Sequence, residues 1–188
     1  DVCSSDLIDP GFNGQETLNI LKESGANVAA IFLTHGHFDH IRDLPLILKA
    51  YPKARTHIQE SDLKFLYDER LNYARAFHSH FSLSPENPVE IFQEKGELDI
   101  QGIFVAYLHT PGHTAGSSSF YIDERLYSGD TLFSDGIGRT DLYTGNMASM
   151  NKSLKLITTS YSRKTMVCPG HGDSQRLGEI IENNPYLP

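Results

Sequence analysis

The sequence predicts an α/β fold, and three observations support this prediction. The first is VAAIFL at residues 28–33, a continuous apolar run of the kind that a strand buried on both faces requires. The second is a set of short helical segments with recognisable ends, such as residues 15–24 before Gly25. The third is a series of short strand-like segments in the second half of the chain, beginning at residues 103–109. Helix and strand signals mixed in this way indicate a layered α/β sandwich.

The first predicted helix covers residues 15–24, directly before the buried strand. Asn13 is expected to cap its N-terminus, and Gly25 ends it because glycine readily adopts the left-handed conformation that follows helices. Leu18 and Leu21 form its apolar side. The later predicted elements are a helix over 42–50, a strand over 54–59, a helix capped by Ser61, a long loop over 68–88, strands over 89–93, 103–109, 118–123 and 125–128, a helix over 147–159 and a strand over 165–168.

Composition limits both the number of domains and the classes of function. The chain has 188 residues, 39% of them apolar, which suits a single domain that we place at residues 8–188. The formal charge of −8 argues against non-specific nucleic-acid binding, which needs clustered Lys and Arg. Two cysteines, Cys3 and Cys168, are too few for a disulfide framework. No apolar run reaches the roughly 18 to 20 residues that a membrane helix needs, so we expect a soluble, cytoplasmic protein without a membrane partner.

Residues 1–7, DVCSSDL, differ in character from the chain that follows them. They are similar to the translation of a common sequencing-adapter string, and we therefore predict that this segment is a non-native artefact. In that case Cys3 has no biological role.

THGHFDH at residues 34–40 follows the buried strand and carries four side chains of the types that bind metals. His35 and His37 lie two residues apart, so an extended backbone places both imidazoles on one side, where they can reach one ion. Asp39 and His40 follow a local bend and can face a second ion. Imidazole and carboxylate ligands suit zinc, iron or manganese. The alternative interpretation is a polar loop that binds no metal.

Three further ligand candidates each follow a predicted strand. His113 lies in TPGHTAGS, Asp130 in YSGDTLF and His171 in VCPGHGD. A strand fixes the backbone and the loop after it exposes the side chain, which is how rigid scaffolds present functional groups. Taken singly, each residue could be a loop histidine or a turn-forming aspartate. Taken together, the three favour a metal centre.

The order and context of these residues resemble the metallo-β-lactamase superfamily over essentially all of residues 8–188. Within that superfamily, IDPG, TPGHTAGS, GDTLFSDGIGRTD, CPGHG and NNPYL are similar to the short, single-domain glyoxalase II-like hydrolases. The resemblance implies an αββα sandwich of two sheets with helices outside. Members of the superfamily begin with a strand pair before the segment that matches IDPG, so we expect the first N-terminal strands of the fold to be missing.

The resemblance also implies a cofactor of two divalent metal ions, most readily zinc, with iron or manganese as alternatives. Asp39 and Asp130 are the candidate catalytic carboxylates, with Asp130 as the bridge between the ions. Asp9, Arg139 and Asp141 are candidates for orienting the ligands. The implied ligands are His35, His37 and His113 on the first ion, Asp39, His40 and His171 on the second, and Asp130 on both.

The function implied by the resemblance is hydrolysis of a small-molecule thioester, of the hydroxyacylglutathione type, or of a related carbonyl ester. One alternative is a persulfide dioxygenase with a single iron, held at the positions of His35, His113 and Asp130. Phosphodiesterase or nuclease action is disfavoured by the acidic charge. A non-catalytic metal-binding module is disfavoured because such a site has no use for open coordination positions. The oligomeric state is left open.

Overall fold

The computed structural model describes residues 4–187, and the side chains from residue 6 onward. The chain divides into two compact units. Unit 1 comprises Asp1–Phe92 with Ile100–Gly102, and unit 2 comprises Gln93–Asp99 with Ile103–Pro188. The assignment of residues 8–188 to one domain and of residues 1–7 to an artefact stays a prediction, and Cys3 lies outside the described residues.

Unit 1 is built on a parallel sheet whose strands are joined through helices, as parallel pairing requires. The strand order is β1-β2-β3-β4. Ile31, Phe32 and Ile58 on the inner strands are fully buried, which explains the continuous apolar run in the sequence. The elements are β1 Ser4–Ile8, α1 Gly14–Ser24, β2 Asn27–Phe32, α2 Phe38–Ile41, α3 Leu44–Ala50, β3 Arg55–Gln59, 3₁₀ helices at Glu60–Leu66 and Ala74–Phe77, and β4 Val89–Phe92.

Unit 2 contains a mixed sheet in the order β10-β9-β8-β7-β6-β5. β7 is antiparallel to both β6 and β8, and β9 is parallel to β8. One hydrophobic cluster joins Leu126 and Val167 of the sheet to Leu154 and Ile157 of a helix. The elements are β5 Lys95–Ile100, β6 Ile103–His109, β7 Ser118–Ile122, β8 Arg125–Gly129, α4 Met147–Ser160, β9 Met166–Pro169, β10 Gln175–Arg176 and α5 Leu177–Asn183.

Two predicted helix caps are wrong. Asn13 has a left-handed backbone with φ 71° and its side chain makes no capping hydrogen bond. The Gly14 amide instead donates to Asp43 Oδ2 at 2.7 Å, so a residue distant in sequence provides the cap. Ser61 does not cap the following 3₁₀ helix either, because the Gln59 side chain accepts from the Ser61 amide at 2.6 Å.

The remaining differences concern short or charged elements. The helix predicted over residues 42–50 is α3, which begins two residues later because residues 42 and 43 form a turn, and Pro45 lies in its first turn. The short helix α2, which precedes that turn, was not predicted. The sequence prediction also missed β1, β5, β10 and α5. In β5 the charged residues alternate with half-buried ones, so no apolar run marks the strand. Among the described residues, no helix combines the length and the apolar character needed to cross a bilayer, and a cytoplasmic location stays a prediction.

Candidate metal centre

Four predicted ligands of unit 1 lie in residues 34–40, which comprise the loop after β2 and the first turn of α2 and which we call the metal loop. His35, His37 and His40 are all buried. The ring centroids of His35 and His37 lie 4.8 Å apart, and those of His35 and His40 lie 4.1 Å apart. Asp39 Oδ2 lies 3.8 Å from His40 Nε2. Buried imidazoles this close to one another and to a carboxylate form a donor group of the kind that can hold a metal ion.

Asp9 holds this loop in place through one carboxylate. Its Oδ1 accepts from the Thr34 amide at 2.7 Å, and its Oδ2 accepts from the Thr34 hydroxyl at 2.6 Å and from His40 Nδ1 at 2.8 Å. Because the Thr34 hydroxyl donates its proton to Asp9, its oxygen is an acceptor for His35 Nδ1 at 3.1 Å. Both imidazoles are thereby held as the tautomer that directs Nε2 toward a metal.

Gly11, in the IDPG segment, explains how closely Asp9 approaches the metal loop. A Cβ at Gly11 would overlap the carbonyl oxygen of Asp39, so only glycine permits this packing. The Asp43 amide donates to the carbonyl oxygens of Pro10 and Gly11 at 2.9 and 3.0 Å. The two segments are therefore fastened together along their backbones.

Asp62 and Phe65 support the loop from the other side, and sequence reasoning missed both. Asp62 is fully buried, and its Oδ2 accepts from the Gly36 amide at 3.0 Å, between two predicted ligands. A Cβ at Gly36 would overlap the Phe65 side chain, whose ring lies 5.7 Å from that of His37. An acidic residue that opens a helix looks like a local feature of the sequence, so no signal there indicated this long-range bond.

Unit 2 brings its three predicted ligands together at one edge of its sheet. β6, β8 and β9 run in the same direction, so their carboxyl ends meet at that edge. His113 follows β6, Asp130 directly follows β8 and His171 follows β9. Asp130 Oδ2 lies 3.5 Å from His113 Nε2 and 3.6 Å from His171 Nε2. His113 and Asp130 are buried, whereas 55% of the His171 side chain is exposed.

The GIGRTD segment supports this second half through its backbone. His113 Nδ1 donates to the carbonyl oxygen of Arg139 at 2.8 Å. A Cβ at Gly138 would overlap the carbonyl oxygen of Asp130, so this segment packs directly on the ligand loop. The Arg139 guanidinium makes two 2.7 Å hydrogen bonds with Asp141 on the surface, which lower the pKa of Asp141 to about 2. A side-chain role for Arg139 and Asp141 toward the ligands stays a prediction.

Four histidines outside the ligand loops have other surroundings. His57 lies in β3, where its ring stacks on Phe32 at 4.9 Å and burial lowers its pKa. His109 ends β6 and its Nε2 donates to the Ala115 carbonyl oxygen at 2.7 Å. His80 is exposed and pairs with Glu69, and His78 has a left-handed backbone after a 3₁₀ helix.

The donor set fits a transition-metal or zinc ion in both halves. Imidazole nitrogens and carboxylate oxygens are the ligands that zinc, iron and manganese accept in proteins. His40 and His113 each donate Nδ1–H to an oxygen that can only accept, Asp9 Oδ2 and the Arg139 carbonyl. Metal-binding histidines are held in this way by their second nitrogen.

Comparison with known proteins identifies the family. The sequence model of the Metallo-beta-lactamase superfamily matches residues 4–171. The chain belongs to this superfamily. The predicted α/β class and metallo-beta-lactamase fold are therefore confirmed, and the chain is a metallohydrolase by family with a metal-binding fold.

Three similar proteins, one curated relative and two solved structures, show which activities and metals are named among proteins like this chain. Hydroxyacylglutathione hydrolase GloC of Haemophilus influenzae is 29% identical over 184 residues, covering 96% of this chain and 86% of the relative. The crystal structure of BLEG-1 B3 metallo-beta-lactamase has a TM-score of 0.91 at 28% identity, covering 98% of this chain and 88% of that one. The structure of TTHA1623 in a di-iron-bound form has a TM-score of 0.80 at 31% identity, covering 96% and 88%. By name, the first is a hydrolase of hydroxyacylglutathione, the second is a metallo-beta-lactamase and the third binds two irons.

Proposed function

We propose that this superfamily member is a binuclear hydrolase that cleaves a small-molecule thioester of the hydroxyacylglutathione type. The observation that carries the proposal is the position of Asp130, one of whose oxygens lies within 3.6 Å of both His113 and His171. A carboxylate has a lone pair for each of two ions, which an imidazole in the same place does not. The GloC relative supports the thioester class of substrate.

The residues of the chain would hold and orient the ions, and the ions would supply a hydroxide at neutral pH and polarise the substrate carbonyl. Asp9 fixes the ring of His40, and the Arg139 carbonyl fixes that of His113. Asp62 fixes the backbone at Gly36. Hydrolysis adds water across the C–S bond and yields a carboxylic acid and a thiol. The ligands would be His35, His37 and His113 for the first ion, Asp39, His40 and His171 for the second, and Asp130 for both.

Metal analysis combined with two activity assays tests this proposal. We expect near two equivalents of metal per chain in freshly purified protein, together with hydrolysis of S-lactoylglutathione. Asp130→Ala should lose the second equivalent and lower kcat/KM by at least about 100-fold, because even residues that only orient a ligand contribute about 10- to 100-fold. Glu182→Ala is the control, because Glu182 is a surface carboxylate of the same unit, paired with Arg163, and it belongs to neither the ligands nor their candidate supports. Two retained equivalents and full activity in Asp130→Ala would contradict the bridging role.

A single-iron persulfide dioxygenase is the second candidate, and the different burial of the ligands favours it. His35, His113 and Asp130 are buried, whereas His171 is largely exposed. A centre that left out the exposed His171 and used only His35, His113 and Asp130 would hold one ion. One equivalent of iron, with oxygen uptake on glutathione persulfide and without thioester cleavage, would select this function over the hydrolase.

A further inference from the structure

Unit 1 carries a cluster of aromatic rings that the proposed hydrolysis leaves unexplained. Phe12 and Phe77 are 46% and 50% exposed, and their ring centroids lie 6.4 Å apart. Both rings contact Phe38, at 6.5 and 5.5 Å. We call Phe12, Phe38 and Phe77 the aromatic rim. Exposed aromatic side chains that adjoin one another are unfavourable in water and commonly mark a surface that binds an apolar group.

The aromatic rim is continuous with the metal loop of unit 1. Phe38 lies inside the loop itself, between the predicted ligands His37 and Asp39. Phe12 follows Gly11, whose backbone packs on the carbonyl of Asp39. An apolar group bound to these rings would therefore lie next to the ligands that unit 1 provides.

Several contacts fix the rim before any ligand binds. The Arg42 guanidinium lies 4.8 Å above the Phe12 ring, a cation–π contact that holds this ring at the surface. Phe77 ends the 3₁₀ helix Ala74–Phe77, which is flanked by Tyr73 and His78 with φ of 66° and 52°. Non-glycine residues in the left-handed region cost energy and persist where the surroundings require them.

The segment that carries Phe77 is also tied to the metal loop. The Phe38 amide donates to the Asn72 carbonyl at 2.8 Å, and the Tyr73 ring lies 5.2 Å from that of His37. Phe77 is thus positioned by residues that contact the metal loop, as a substrate-binding wall needs to be.

We propose that the aromatic rim is the subsite for the acyl group of the thioester, and that it selects acyl groups with an apolar chain or ring. This inference rests on the proposed hydrolase function and adds the substrate class. A lactoyl group offers one methyl and one hydroxyl to two phenyl rings, whereas a hexanoyl or phenylacetyl group can cover both. An apolar pocket distinguishes acyl chains through the added methylene groups.

Kinetics on a series of glutathione thioesters test the subsite. We expect kcat/KM of the wild-type protein to rise from the lactoyl to the hexanoyl and phenylacetyl thioesters. Phe12→Ala and Phe77→Ala should each lower kcat/KM for the hexanoyl thioester by about 10-fold or more, mainly through KM, and change the lactoyl value by less than about 3-fold. Phe104→Ala is the control, because this ring on β6 is 71% exposed and should alter neither value.

Binding of thioethers separates this inference from the proposed function, because thioethers cannot be hydrolysed. Calorimetric titration should show tighter binding of S-hexylglutathione than of S-methylglutathione, with the preference lost in Phe12→Ala. A preference that persists while wild-type protein cleaves no thioester would retain the subsite and reject the hydrolase. An equal loss for all acyl groups would overturn the subsite. The subsite would also be overturned if sedimentation showed a dimer for the wild-type protein and a monomer for Phe12→Ala, because the aromatic rim would then be an interface between copies.

Discussion

The candidate ligands fall into two halves, one in each unit, and the two halves are built in different ways. In unit 1, four predicted ligands lie within one short segment after β2, the metal loop. In unit 2, three ligands come from loops after three different strands, and their positions depend on how those strands pair. The first arrangement depends on the contacts that hold one loop, and the second on the register of a whole sheet. Substitutions at the supporting residues should therefore have different consequences in the two units.

In both halves, however, the position of a candidate carboxylate ligand depends on a glycine that packs against its backbone. Gly11 packs on the carbonyl of Asp39 and Gly138 packs on the carbonyl of Asp130, each with no room for a Cβ. In each case a segment other than the ligand loop sets the backbone position of the acid. Replacement of either glycine by alanine should therefore disturb the two halves in the same way.

The largest effect is expected from Gly138→Ala and Gly11→Ala. An added methyl group must push the Asp130 or Asp39 backbone aside, and a displacement of about 1 Å at a reacting centre costs about 100-fold in rate. We expect kcat/KM to fall by about this factor in both variants, with the greater loss of bound metal in Gly138→Ala because Asp130 would serve both ions. Metal content and steady-state kinetics measure these effects.

Gly136→Ala is the matched control, since a Cβ there meets nothing within 4 Å. If Gly138→Ala kept full metal content and activity, the Asp130 backbone would be free to move, and the two halves would differ in rigidity as well as in origin.

An intermediate effect is expected from Asp62→Asn. The substitution removes the charged acceptor from the buried hydrogen bond that the Gly36 backbone N–H donates. The NH2 group of the asparagine can also face that N–H, in which case no hydrogen bond forms. We expect metal affinity to weaken by about 10-fold, measured by competition with a chelator. Asp68→Asn provides the control in the same unit, because Asp68 pairs with Arg70 near the surface. Equal affinities in the two variants would show that the Gly36 turn holds its shape without Asp62.

These supporting residues also mark the limit of what the sequence predicts. The ligand candidates could be recognised because their residue types and local spacing are visible along the chain. The long strands and helices could be recognised from apolar runs and periodicity. Asp62 with Gly36 and Asp43 with Gly14 are pairs formed only by folding, between segments far apart in sequence. The predicted Asn13 cap was wrong for this reason, because tertiary contact replaced the local one.

The smallest expected effect concerns the sheet of unit 1, where Asp6 lies on β1 opposite Ala30 of β2. Burial raises the pKa of Asp6 from 3.8 to about 6, against the opposing effect of a backbone hydrogen bond from Ala30. Between about pH 4 and about pH 6, the Asp6 carboxyl is therefore protonated in the folded state and ionised in the unfolded state. Raising the pH from about 4 to about 6 should accordingly destabilise the wild-type fold relative to an uncharged variant.

We expect Asp6→Asn to have nearly wild-type stability near pH 4 and to be more stable by about 1 kcal/mol above pH 6, a reduced value because the carboxyl is only partly withdrawn from solvent. Urea unfolding of both proteins across this range gives the difference, in which other titrating groups cancel. Asp6→Val should add a further gain, since an apolar side chain suits a partly buried strand position. A stability difference independent of pH would mean that Asp6 is ionised in the folded state without cost.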